Sequence, residues 1–298
     1  MDHLMCINLN SFPAESTEMA IEFLDKALQG VLHLQTGDDR FFFYVDSNKG
    51  GLYDFHIAPE FTYEQFLQNC DQDLKLFLAE VEDKSPALDN LTQDQIEEMS
   101  AYSFYVKNKS VDPYVDVYAL AWAISGYLLS LNSNDVWNTP EIEVARISDS
   151  GQYINEHLRL KNISSVDHGI YHLNQLNAVD LVEMVKPHYI SQYLINWIEE
   201  QTIENKSRII DKIRLALEKN FQGGEPLFKT LVDGAGLREI RFSAYSGGAI
   251  RILFKHIHSS QQAILNGFIK FSDNEGYDQA KSKAHTIYDD IDTKQLVS

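Results

Sequence analysis

The sequence predicts an α+β fold in two domains, and three observations lead to this prediction. The composition, 44% apolar and 23% charged over 298 residues, is that of a globular protein large enough for two cores. Helical patterns dominate the first part of the chain, whereas strand-like runs follow one another after Gly223-Gly224. The charge also divides the chain, since residues 201–298 hold 14 basic and 12 acidic residues, or +2, and the first 200 hold 11 and 32, or −21. We therefore expect an acidic α+β domain over 1–175 and a second domain over 176–298.

Helices account for most of the first domain. Ser16 can cap a helix that Gly30 ends. Two later segments begin with Thr62-Tyr-Glu-Gln65 and Thr92-Gln-Asp-Gln95, which match the capping box. A strongly apolar segment after Tyr114 has the composition of a buried central helix. The predicted helices cover residues 16–30, 63–82, 93–101 and 114–131.

Strand signals in the first domain are fewer. Residues 40–46 and 52–57 flank a Ser-Asn-Lys-Gly-Gly turn, which predicts a β hairpin. Residues 141–147 alternate apolar and charged side chains, as a half-buried strand does. Residues 148–174 are polar and show no clear period, so no element is predicted there.

The sequence also argues against several classes of function. No run of about 18 uncharged apolar residues occurs, and the amino end lacks the basic-then-apolar pattern of a secretory signal, so we expect a cytoplasmic protein without a membrane span. Cys6 and Cys70 cannot form a disulfide framework by themselves. His168 and His172 have a spacing that suits a metal on a helix, but Gly169 argues against a helix there. We therefore expect no metal and no cofactor.

The second domain has a regular order of elements. Three short runs, each bounded by Gly, Ser or Gln, follow helical segments and predict an antiparallel meander. A last helical segment follows the meander. Helices are predicted over 178–185, 188–200, 204–219 and 277–291, and strands over 237–244, 249–258 and 263–270.

Three motifs in these predicted strands occur in the order of a known family. They read Gly236-Leu-Arg-Glu-Ile-Arg241, Arg251-Ile-Leu-Phe254 and Asn266-Gly-Phe-Ile-Lys270, and an alanine-marked helix with Ala280 follows. In this respect about the last 110 residues resemble the RelE/HigB superfamily of bacterial toxins, in particular its HigB-like, phage-associated branch. The resemblance implies two helices, an antiparallel sheet and a C-terminal helix.

The resemblance also implies an activity. Such toxins cleave messenger RNA without a metal, usually at the ribosome, by attack of a ribose 2′-hydroxyl on the adjacent phosphate, and an antitoxin protein restrains them. The reaction requires positive charge at the phosphate and a group that moves the proton. Arg241, Arg251 and Lys270 lie on three different predicted strands, and the resemblance places Arg251 at the family's best-kept active-site arginine.

These catalytic candidates have alternatives. Arg241 and Glu239 can form a cross-strand ion pair instead, and Lys270 can be a solvated surface lysine. His256 and His285 are candidates for acid–base catalysis because histidine titrates near neutral pH, although a lone histidine is more often a spectator. The candidates for RNA binding are Arg238, Lys229, Lys255, Tyr277 and Tyr288, of which the tyrosines can instead pack into a core.

Alternation along the strands predicts which side chains share a face. Arg251, Leu253 and Lys255 fall on one face of the second strand, and Arg241 and Glu239 fall together on the first. Because a leucine between two cations is unexpected on an open surface, either this face is half exposed or a bulge at Gly247-Gly248 redirects Arg251.

The sequence thus predicts a toxin of a toxin–antitoxin or phage-defence module that acts as a ribosome-associated mRNA endoribonuclease. Its partners would be mRNA, the ribosome and a cognate antitoxin. The acidic first domain would regulate the toxin in cis or receive an inhibitor or trigger, unless its charge serves solubility alone. The alternative is a non-catalytic protein-interaction module with the same fold.

Overall fold

The computed structural model describes residues 1–45, 51–106, 116–147, 153–176, 179–258, 260–272 and 276–295. The chain divides into two compact units, Met1–Asn177 and Ala178–Ser298. Both combine helices with a sheet, so the fold class is α+β, as predicted. Among the residues described, no helix combines the length and the apolar character needed to cross a membrane.

The first unit is built around a mixed seven-stranded sheet. Its elements in chain order are β1 (Asp2–Ile7), α1 (Thr17–Leu32), β2 (Arg40–Tyr44), β3 (His56–Ala58), β4 (Phe61–Thr62), α2 (Tyr63–Asn69), α3 (Gln72–Glu80), β5 (Glu82–Asp83), α4 (Gln93–Ala101), β6 (Ser103–Val106), α5 (Asp116–Ala123), β7 (Tyr127–Leu129), β8 (Glu141–Ile147), β9 (Tyr153–Ile163) and α6 (Val166–Leu176). The strand order is β5-β2-β1-β7-β9-β8-β6, in which β8 runs antiparallel to both of its neighbours and the other six strands run in one direction. The pair β3–β4 forms a separate two-stranded sheet.

The predicted hairpin over 40–57 is wrong. β2 pairs in parallel with β1 on one side and β5 on the other, while β3 pairs with β4. Four consecutive buried side chains, from Phe41 to Tyr44, fit a strand that is covered on both faces, as in a parallel sheet. The predicted turn falls largely on residues 46–50, which lie outside the described residues.

Two predicted helices are shorter than expected. Both capping boxes form, at Thr62 and Thr92, but the first helix ends at Asn69 and a new helix begins after Asp71, whose side chain accepts from a backbone N–H of α3. The apolar segment 114–131 contains α5 and then the strand β7. Its periodicity could not reveal this change, because a segment buried on all sides is apolar in either conformation.

Residues 148–174 contain β9 and most of α6, which the sequence analysis missed. Gly169 lies inside α6 because α1 passes very close, and a Cβ at Gly169 would lie 1.9 Å from the carbonyl oxygen of Gly30. His168 and His172 are therefore on a helix after all. Both imidazoles are buried, and backbone groups of the same unit lie within hydrogen-bond distance, at 3.2 Å and 2.9 Å.

The second unit is built around a five-stranded sheet in the order β10-β14-β13-β12-β11. Its elements are α7 (Leu181–Met184), β10 (Tyr189–Ile190), α8 (Gln192–Glu199), α9 (Ile203–Glu218), β11 (Phe228–Thr230), β12 (Arg238–Ser243), β13 (Ala249–His256), β14 (Gln262–Lys270) and α10 (Tyr277–Gln295). The predicted antiparallel meander is confirmed in β12, β13 and β14. The short strands β10 and β11, which the sequence analysis missed, extend the sheet on either side.

Two helices cover opposite faces of this sheet beside β14. α10 packs on the face that carries Leu237, Leu253 and Leu265, with Ala280 and Ala284 in the contact. α8 packs on the other face, where the ring of Trp197 lies so close to Gly267 that a Cβ there would be 2.4 Å from it.

Candidate active site

Cations collect on the face of the second sheet that α10 partly covers. Arg241 of β12 lies directly opposite Arg251 of β13, and Arg251 lies opposite Phe268 of β14. Lys270 follows Phe268 by two residues and therefore points to the same face. Directly opposed like charges destabilise a sheet, so this arrangement requires counter-charges nearby.

Arg251 is almost completely buried, with 5% of its side chain exposed. Its Nη1 donates to the carbonyl of Ile250 at 2.8 Å, and its Nε donates to the hydroxyl of Tyr277 at 3.3 Å. The same Nε lies 3.6 Å from a carboxylate oxygen of Glu239. Within the described part of the chain no hydrogen bond from Nη2 is found, so this nitrogen keeps its N–H donors although the side chain is almost completely buried.

Glu239 and Tyr277 complete this arrangement. Glu239 is fully buried, and its Oε2 accepts a hydrogen bond from the Tyr277 hydroxyl at 2.8 Å. Burial and the charge of Glu239 raise the pKa of Tyr277, so the phenol keeps its proton at neutral pH. Because Tyr277 is the first residue of α10, its hydroxyl joins that helix to the sheet.

A second carboxylate, that of Glu225, forms ion pairs with the more exposed cations. Nη1 of Arg241 lies 2.8 Å from Oε1 of Glu225, and Nζ of Lys229 lies 3.6 Å from the same oxygen. The ammonium of Lys270 lies 5.9 Å from the ring centroid of Tyr277. We call Arg241, Arg251, Lys229 and Lys270 the cation cluster. With Glu225 and Glu239 as counter-charges it keeps a formal charge of +2.

The structure agrees with the first of the two alternatives from the sequence, since the face is half exposed, and the regular β12–β13 pairing on both sides of Arg251 does not support a bulge that redirects it. Leu253 is completely buried because α10 covers it, and it packs with Leu237 and Ala284. The irregularity in the β13–β14 pairing falls between Leu253 and Phe254, two residues beyond Arg251. An apolar residue between two cations is therefore explained by the packing of a helix on one half of the face.

Arg238 lies on the opposite face of the sheet from the cation cluster. Its guanidinium donates to the carbonyls of Phe221 and Gly223, both at 2.6 Å, and lies over the ring of Phe228. These contacts hold the segment before β11 against the sheet. RNA binding by Arg238 stays a prediction that this geometry does not favour.

Four other predicted residues lie away from the cluster. Lys255 lies over the ring of Tyr288, 4.2 Å from its centroid, and the Tyr288 hydroxyl donates to the backbone of His256. His256 follows Arg251 by five residues on β13, a distance of about 16 Å along the strand. His285 follows Tyr277 by eight residues on α10, about 12 Å along the helix. Acid–base roles for the two histidines stay predictions, since the structure does not bring them to Arg251.

In the sequence Glu239 is only a possible ion-pair partner of Arg241, and Glu225 is not predicted at all. Glu239 alternates with Arg241 on a strand whose other side chains are largely buried, and this position was the available signal. Glu225 lies in a loop before β11, and no periodicity marks it.

The helices before the sheet, the antiparallel meander, the closing helix and the cation cluster together define a compact α+β domain with a face suited to an anion. Residues 196–289, about a third of the chain, match the family model described as Phage derived protein Gp49-like (DUF891). This family is phage-derived and associated with toxin–antitoxin systems, so the match supports a toxin-like domain in the second unit and implies an antitoxin partner. No curated protein and no solved structure matches the chain.

We predict that Glu239→Ala destabilises the second unit by about 3–5 kcal/mol, because it leaves the Arg251 guanidinium buried without its counter-charge. Glu225→Ala is the matched control, and it should cost less than about 1 kcal/mol because its ion pairs are partly exposed. Urea unfolding followed by hydrogen exchange of β12–β14 peptides measures both. Similar small effects would show that the buried pair does not organise this domain.

Proposed function

We propose that the second unit is the toxin of a toxin–antitoxin or phage-defence module and that it cleaves mRNA without a metal, at the ribosome in the cytoplasm. The observation that carries the proposal is the direct opposition of Arg241 and Arg251 on neighbouring strands. An RNA phosphate between them would relieve their repulsion. The RelE/HigB-like motifs of the sequence point to the same residues and the same chemistry.

The cation cluster fits the first requirement of such a reaction. Negative charge grows on the phosphate as the 2′-oxygen attacks, and fixed cations stabilise that charge. Nη2 of Arg251 and the partly exposed Arg241 offer N–H donors on one face, and a guanidinium fork matches two phosphate oxygens. Lys270, two residues beyond Phe268, adds a further cation on this face.

Tyr277 fits the role of the group that protonates the departing 5′-oxygen. Its raised pKa keeps the proton in place until the leaving group develops negative charge. After the transfer, the nearby guanidinium of Arg251 would stabilise the tyrosinate. In this structure the hydroxyl donates that proton to Oε2 of Glu239, so the departing 5′-oxygen would replace Oε2 as the acceptor, and the proton of the attacking 2′-hydroxyl would pass to water. Glu239 is a positioning residue in this scheme.

A second candidate function is a non-catalytic interaction module that keeps the toxin fold. The burial of Arg251 favours it, since the Nε and Nη1 donors are already used by Tyr277 and a backbone carbonyl. In this reading the arginine is a structural ion-pair partner of Glu239. Cleavage assays on matched variants separate the two functions.

For the first unit we propose a regulatory role. Residues 1–177 hold 10 basic and 28 acidic residues, and this charge of −18 opposes the approach of RNA to any site within about a Debye length. A toxin under such control would be less active in the full chain than alone.

The first test replaces the buried pair as a whole. Arg251→Met together with Glu239→Gln removes both charges at similar volume, which preserves folding better than either single change. We predict at least an approximately 100-fold loss of cleavage, measured by transcript 5′-end mapping after induction together with growth arrest. Arg214→Ala on α9 removes one cation elsewhere and should behave as wild type. Unchanged cleavage in the double variant would exclude this site.

The second test concerns Tyr277. Tyr277→Phe should slow cleavage by about 10²-fold or more, because it removes the proton donor and keeps the ring. The wild-type rate should fall only above about pH 10, since a raised pKa keeps the phenol protonated below that pH, and the variant should lack this fall. Tyr288→Phe is the control. A wild-type rate and pH profile in Tyr277→Phe would exclude the acid role.

The third test addresses regulation by the first unit. Residues 176–298 expressed alone should arrest growth sooner than the full chain at equal protein level, with hydrogen exchange as a check that the sheet forms. Equal toxicity of a folded fragment and the full chain would remove the proposal of restraint in cis.

A further inference from the structure

Among the described strands, none pairs with the outer edge of β14 over about half of its length. β10 pairs with this edge only at Ala263 and Ile264. From Asn266 to Ile269, no described strand pairs with the side that faces away from β13. Unpaired backbone N–H and C=O groups on a strand edge form a template for another extended segment.

This open edge lies in a groove between two helices. The groove has a volume of about 620 Å³ and is lined by residues 266–269 of β14, by Tyr193 of α8, and by Gly276, Asp278, Gln279, Ala280 and Lys283 at the start of α10. The helices α8 and α10 pack on opposite faces of the sheet. A groove that has both helices as walls and consecutive residues of β14 as its floor therefore runs along the edge of that strand.

The groove also contains a buried acceptor and an unneutralised cation. Oδ1 of Asn266 finds no hydrogen-bond partner among the residues that the structure describes, and the residue is only 3% exposed. The ammonium of Lys283 lies 4.5 Å from the ring centroid of Tyr193, and among the described residues it forms no ion pair. Asp278, the carboxylate of the groove, is paired with Lys281 at 3.5 Å. A ligand with a carboxylate near Lys283 therefore complements the groove.

We propose that the β14 edge binds an extended segment of a partner protein as an additional strand, with an acidic side chain facing Lys283. If the proposed function holds, this partner is the antitoxin. The segment would supply backbone groups to residues 266–269 and place alternate side chains against Tyr193 and the first turns of α10. A second copy of the chain does not fit, because two edges that each lie between helical walls cannot approach, and two chains of net charge −19 repel.

The test uses the full chain and a displayed library of random 12-residue peptides as the probe. Selected peptides are synthesised, and their affinity is measured for wild type and for the variants Lys283→Glu and Tyr193→Ala. The control is Lys186→Glu, which makes the same charge change two residues after the end of α7. We expect at least a tenfold weaker affinity for the first two variants and no change for the control. Both variant positions are exposed, so these changes should not impair folding.

N-methylation of the peptide distinguishes a strand from other bound shapes. In an added strand, alternate amides face β14, so methylation of one alternate set should abolish binding and methylation of the other should leave it intact. If no peptide is selected, if affinity is equal for wild type and both groove variants, or if both methylated sets fail, the proposal is wrong.

The outcome is independent of the cleavage chemistry. Lys283 lies outside the cation cluster, so Lys283→Glu should cleave RNA as wild type does while losing the peptide. The variant with Arg251→Met and Glu239→Gln should show the reverse. A loss of cleavage in Lys283→Glu would contradict the separation of groove and active site.

Discussion

The second unit depends on the burial of one arginine. A guanidinium withdrawn from water loses several kcal/mol of hydration, which only close charges and hydrogen bonds offset. Arg251 obtains them from the carboxylate of Glu239, the hydroxyl of Tyr277 and the carbonyl of Ile250. Two of these partners come from elements other than β13, since Glu239 lies on β12 and Tyr277 begins α10. The ion pair of Arg251 and Glu239 therefore ties the first residue of α10 to the sheet, while apolar contacts of Ala280 and Ala284 hold the rest of the helix.

The same arrangement explains how a stable domain can hold opposed arginines. Arg241 and Arg251 each have a separate carboxylate, Glu225 and Glu239, and the two ion pairs differ in exposure. The exposed pair contributes little to stability and can open to a competing anion at little cost. The buried pair cannot open without leaving Glu239 uncompensated. In the proposed function an incoming phosphate therefore displaces Glu225 from Arg241 and meets Arg251 only at Nη2.

Sequence periodicity predicted the second unit better than the first for physical reasons. The meander is antiparallel and amphipathic, so alternation fixed its strands and placed Arg241 and Glu239 on one face. In the first unit, parallel strands such as β2 are buried on both sides and lose that alternation. The helix α6 was not predicted because Gly169 normally disfavours a helix. Here a glycine is needed inside the helix, since α1 lies too close to leave room for a Cβ. The contacts among Glu239, Tyr277 and Arg251 connect residues up to 38 positions apart in the sequence. No local sequence pattern predicts such contacts.

The first turns of α10 serve both the active site and the groove. Tyr277 points its hydroxyl to Glu239 and Arg251, whereas the neighbouring residues Gly276 and Asp278 line the groove beside β14. A helix turn moves as a unit, because its backbone hydrogen bonds and the packing of Ala280 hold it together. The turn is held by the Tyr277 hydroxyl on Glu239 and Arg251 and by the packing of Ala280 against the sheet. A backbone fixed in this way lets the active site and the groove use different side chains of one turn, so a change at Lys283 need not move the Tyr277 hydroxyl.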